Sequence, residues 1–89
     1  MWMVNWDDRA VKELRKLDKP LQKEILKYFR ERIATEENPR RFGKSLSYEL
    51  AGLWRYRVQN CRIICQIQDE ALLVLVLKVG DRKAIYEKK

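Results

Sequence analysis

Hydrophobic residues recur along the chain with three different periods, and each period predicts a different element. Residues 2–6 alternate, with Trp2, Val4 and Trp6 against Met3 and Asn5, which predicts a short strand with an aromatic face. Asp7 or Asp8 then stands where a helix cap is wanted. Ala10, Val11, Leu14 and Leu17 follow at helical spacing. Asp18-Lys19-Pro20 ends this helix and opens another, because proline is tolerated in a first turn and disfavoured later. The second helix carries Leu21, Ile25, Tyr28, Phe29 and Ile33 on one side. The two helices are expected to form an antiparallel hairpin with one face on a sheet.

The period is then lost. Residues 36–49 are polar and punctuated by Pro39 and Gly43, as expected of a loop. Beyond them it becomes two: Trp54, Tyr56 and Val58 alternate with Arg55 and Arg57, Gln59-Asn60 reads as a turn, and Cys61 to Gln68 return. Asp69-Glu70 is a second turn. The continuous apolar run Leu72–Leu77 is expected to be the central strand, buried on both faces. Gly80 should break it, leaving Asp81 to Tyr86 as a short basic tail. The predicted layout is β-α-α-β-β-β in one domain spanning 1–89. This is an α+β fold with two helices on one face of a small, mostly antiparallel sheet.

Composition narrows the chemistry. The 89 residues include 20 Lys and Arg, 13 Asp and Glu and no histidine, for a net charge of +7. Without histidine there is no Ser-His-Asp triad, no His-paired cysteine nucleophile and no His-ligated metal. Cys61 and Cys65 lie on one face of the same predicted strand, roughly 13 Å apart, far beyond disulfide reach. Two small buried apolar residues are the expected reading. No run of about 18 apolar residues occurs. The N-terminus lacks a basic segment followed by an apolar one, so the cytoplasm is the expected location, with no membrane partner.

The positive surplus is spread almost evenly over the two halves of the chain, so position matters more than the total. If Gln59-Asn60 is a two-residue hairpin turn, Val58 faces Cys61, Arg57 faces Arg62 and Arg55 faces Ile64. Arg57 and Arg62 would then lie side by side, an arrangement that destabilises a sheet. Guanidinium groups clustered on a rigid surface suit phosphate, because each planar fork donates in pairs. The alternative is that sheet twist spreads these arginines, which then pair with carboxylates such as Glu49 or Asp81.

Leu53-Trp54-Arg55-Tyr56-Arg57-Val58, Arg62-Ile63-Ile64 and Val79-Gly80-Asp81-Arg82-Lys83-Ala84-Ile85-Tyr86 resemble the RelE branch of the RelE/ParE toxin superfamily. Asp8 to Asp18 resembles that family's first helix. Asn38-Pro39-Arg40 and Leu50-Ala51-Gly52-Leu53 resemble its loop into the second strand. The resemblance implies a type II toxin that cleaves messenger RNA on the ribosome with no cofactor or metal. A cognate antitoxin would neutralise it, and operator DNA would be met only through the antitoxin complex. The site residues it implies are Arg55, Arg57, Arg62, Arg82 and Tyr86. Asp81 stands where many relatives have histidine, either to accept a proton or to hold Arg82. Two other functions remain: gyrase poisoning, as in the ParE branch, and a non-catalytic module that binds antitoxin or operator.

Overall fold

The computed structural model describes residues 1–81. Strand β1 (Met3–Trp6) leads into helix α1 (Asp8–Arg15) and helix α2 (Lys19–Tyr28). Both helices start where the sequence places their caps. The Asp7 carboxylate accepts from the Arg9 amide at 3.1 Å, and the Asp18 carboxylate accepts from the Leu21 amide at 2.9 Å. Pro20 lies in the first turn of α2. A wider turn, Phe29–Ile33, closes that helix, with the Ala34 amide donating to the Phe29 carbonyl at 2.8 Å.

After the connection come β2 (Lys44–Ser45), β3 (Trp54–Val58), β4 (Cys61–Gln68) and β5 (Leu73–Asp81). The strand order is β1-β5-β4-β3-β2; β1 runs parallel to β5, and the other neighbours are antiparallel. The helices cover one face. Their Ala10, Leu14, Ile25 and Phe29 pack with Tyr56, Val58, Cys61, Ile63, Cys65, Val74, Val76 and Val79 of the sheet into one core.

The buried Tyr56 hydroxyl donates to the Pro39 carbonyl at 2.6 Å and ties the long connection to the sheet. Burial pushes its ionisation well above the ordinary tyrosine value, with smaller upward contributions from Cys65 and Tyr28. Outside the core, Arg40 binds Asp69 through two hydrogen bonds, 3.0 and 2.7 Å, joining the connection to the β4–β5 turn.

Three expectations are corrected. The Leu72–Leu77 run is neither the central strand nor buried on both faces. β4 occupies the middle of the sheet, and in β5 only Val74 and Val76 of that run are buried. Two helices can cover one side, so Leu73, Leu75 and Leu77 stay half-buried. Gly80 does not break the strand, which continues to Asp81 because Arg62 and Cys61 at the start of β4 pair with Gly80 and Asp81. The 36–49 connection is not featureless. It holds the short turn Pro39–Phe42, the two-residue β2 and the start of a second short turn, Tyr48–Leu50. The hairpin reading holds: Val58 faces Cys61, Arg57 faces Arg62 and Arg55 faces Ile64. Both cysteines are free and buried.

Candidate functional site

The face of the sheet away from the helices follows from the pairing register. Alternation that turns Tyr56 and Val58 into the core turns Arg55 and Arg57 outward. On β4 it does the same for Arg62 and Ile64. Two-residue turns close on a hydrogen-bonded pair, here Val58 and Cys61. Arg57 and Arg62 therefore fall on the next, closer pair, with Cα atoms about 4.5 Å apart. Gln59 takes φ 54°, as the first residue of a mirror-image hairpin turn does, and its side-chain Nε2 donates to the Glu24 carboxylate of α2. Arg57 bends toward this turn, its Nε donating to the Gln59 carbonyl at 3.1 Å. That bend draws one of the two like charges aside.

Two lysines join the arginines. Lys44 on β2 pairs with Arg55, and Lys78 on β5 pairs with Ile64. One row across the sheet therefore reads Lys44, Arg55, Ile64, Lys78, and the next reads Arg57, Arg62, Gly80. Cross-strand neighbours stand roughly 4.5–5.5 Å apart at Cβ, so five cations share one small surface. Ile64 is buried even though it belongs to this outer face. Its register neighbours are the aliphatic stems of Arg55 and Lys78. Gly80 leaves no side chain across from Arg62.

Hydrogen bonding separates this face from the core. The Nε atoms of Arg55 and Arg62 are buried and have no hydrogen-bond partner among the described residues. A buried, unpartnered donor costs about 1–3 kcal/mol, and more when it is charged. Neither arginine forms a salt bridge among those residues; the arginine pairs that occur are Arg9–Glu13, Arg40–Asp69 and Arg41–Glu37. Asp81 pairs with Cys61, on the face opposite Arg62, and its charge adds to the burial that raises the Cys61 thiol's ionisation. Cys65 is held neutral by burial alone. Among the described residues no group of three or more cysteines and carboxylates is placed to hold a metal ion.

Of the expected site residues, the structure brings Arg55, Arg57 and Arg62 together. Arg82 and Tyr86 lie outside the described residues. Lys44 and Lys78 were missed by sequence reasoning. Lys44 sits in a two-residue strand within a loop that shows no period. Lys78 has the wrong parity for the outer face unless an extra residue precedes it.

Two helices on one side of a five-stranded sheet, with arginines on the other whose Nε donors lack partners among the described residues at Arg55 and Arg62, define a small cation-faced α+β fold. The sequence profile described as the ParE toxin of the type II toxin–antitoxin system parDE matches residues 4–86. The chain belongs to this family, within the RelE/ParE superfamily. Solved structures agree on the fold. The toxin–antitoxin complex RelBE2 of Mycobacterium tuberculosis contains a chain 28% identical, with a TM-score of 0.83 over 91% of each chain. The archaeal RelE–RelB complex of Pyrococcus horikoshii is 25% identical, with a TM-score of 0.69 over 91% of this chain and 94% of that one. The isolated RelE toxin of E. coli shares 23% identity, with a TM-score of 0.71 over 97% of this chain and 92% of that one. No curated protein sequence matches the chain significantly.

Proposed function

We propose that this toxin is a ribosome-dependent endoribonuclease whose outer sheet face grips the messenger backbone. The observation that carries the reading is the pair of buried Nε donors on Arg55 and Arg62 that have no partner among the described residues, within a cluster of five cations. Guanidinium donors without a protein acceptor are suited to phosphate oxygens, which supply charge and two acceptors in the plane of the fork.

The chemistry asks for little beyond positioning and charge. The ribose 2′-oxygen attacks the adjacent phosphorus and loses its proton. The bond to the 5′-oxygen breaks and that oxygen gains a proton, leaving a cyclic phosphate and a free 5′-hydroxyl. Arg62, with Arg82 from the sequence, stabilises charge on the phosphoryl oxygens. Arg55 and Arg57 align the backbone for in-line attack. Tyr86 is assigned from the sequence to base stacking or proton transfer. A cognate antitoxin is the expected partner, since several similar structures are toxin–antitoxin complexes. Among the described residues no helix is long and apolar enough to cross a membrane. Both ribosome and messenger are met in the cytoplasm.

A second reading, gyrase poisoning, is favoured by the ParE description of the matching family. Purified toxin added to messenger-programmed ribosomes, and separately to gyrase with supercoiled DNA, distinguishes them. Cuts within codons that require the ribosome support the nuclease. Gyrase-dependent DNA breaks with intact messenger support the other reading.

A further inference from the structure

Strand β5 changes the face it shows partway along. Val74 and Val76 point toward the helices, opposite Ile67 and Cys65. Strict alternation would next turn Lys78 among the helices and Val79 outward. Instead the pairing steps from Cys65–Val76 to Ile64–Lys78, so that Leu77 is an extra residue. Such a bulge re-aims the side chains beyond it. Val79 becomes part of the core, 4% exposed, while Lys78 and Gly80 join the outer face beside Ile64 and Arg62.

Among the described residues, the re-aimed segment has no strand on its other side. β1 reaches only to Val76, whose carbonyl accepts from the Asp7 amide at 2.9 Å. Beyond that point α1 supplies the acceptor: the Val79 amide donates to Glu13 Oε1 at 2.7 Å, in a half-buried position. The other carboxylate oxygen of Glu13 accepts from Arg9 Nε at 3.2 Å. Slippage to an unbulged register would bury the Lys78 ammonium, so loss of the Glu13 bond should instead fray β5 past Val76.

We propose that Glu13 is a positioning residue for the basic face. It clamps the bulged end of β5 and so presents Lys78 as a further phosphate contact in the same row as Arg55, on the far side of Ile64. The role of Lys78 rests on the phosphate-binding reading of this face; the clamp does not.

The test uses the full chain, amide exchange at Val79 followed by NMR, and a 2′-O-methyl RNA oligonucleotide that cannot be cut. Glu13→Ala is expected to speed Val79 exchange at least tenfold and weaken oligonucleotide binding several-fold. Glu13→Gln keeps an acceptor oxygen and should restore both. Arg9→Ala removes the ion pair but not the clamp and should change neither. Lys78→Ala should leave Val79 exchange unchanged, weaken binding and lower the salt slope by about 0.7, the value for one phosphate on a single strand. If Glu13→Ala does not fold, Glu13→Asp, whose carboxylate falls short of Val79, takes its place. Wild-type exchange in Glu13→Ala, or no rescue by Glu13→Gln, overturns the clamp. An unchanged salt slope in Lys78→Ala overturns the phosphate contact. A wild-type chain that binds no oligonucleotide overturns the phosphate reading and the role of Lys78 with it, while Val79 exchange still decides the clamp.

Discussion

The two faces of one five-stranded sheet obey opposite rules. Toward the helices, side chains are apolar and buried, and the Tyr56 hydroxyl has a carbonyl partner 2.6 Å away. Away from them, Lys44, Arg55, Arg57, Arg62 and Lys78 crowd together, and the Nε donors of Arg55 and Arg62 are buried without partners among the described residues. The helix side is organised for stability. The outer side carries repulsion and unsatisfied donors that stability alone would remove, so it is the side to read for function.

The contrast is broken most forcefully from the helix side. Ile63 is fully buried between the sheet and the helices. Ile63→Ala should cost about 2–5 kcal/mol in urea unfolding, because the cavity it leaves cannot fully collapse. Tyr56→Phe keeps the ring and loses the bond to Pro39, leaving a carbonyl unpaired. Its expected cost is about 1–2 kcal/mol, read in the same way. On the outer face the sign reverses. Arg57→Glu puts opposite charges on the cross-strand pair with Arg62 and should raise stability by about 0.2–1 kcal/mol while lowering RNA affinity. A variant that is both less stable and still binds RNA would erase the distinction between the faces.

The smallest effect lies at the Arg40–Asp69 pair. The Arg40 hydrogen bonds hold the Asp69 carboxyl below its ordinary value of 3.8. A depressed carboxyl contributes its stability above the unfolded value and loses it as pH falls through the folded one. Wild type and Asp69→Asn should therefore differ slightly in unfolding midpoint above about pH 4 and converge below it, with the difference shrinking further in salt, since the pair is exposed.

Much of this contrast is legible in the sequence because alternation sorts side chains by face wherever the register is simple. Trp54 to Cys65 is such a stretch: a two-residue turn fixes every pair, and the arginines of β3 and β4 fall where the pattern puts them. The pattern fails where a long-range event resets it. At Leu77 a bulge inverts the parity of β5, which hides Lys78 and makes Val79 a core residue. The Lys44–Ser45 strand exists only because β3 offers it an edge, so no local period announces it. The half-buried leucines of β5 read as a central strand because an apolar run does not say how many helices are available to cover it.

The most direct measurement of the central claim pairs two readings on Arg62→Ala: its free energy of unfolding and its cleavage of messenger on programmed ribosomes. The expected result is a folded domain at least as stable as wild type, since the change removes an unsatisfied donor and a like-charge pair, with cleavage abolished. A folded Arg62→Ala toxin that cuts messenger as well as wild type would contradict the claim.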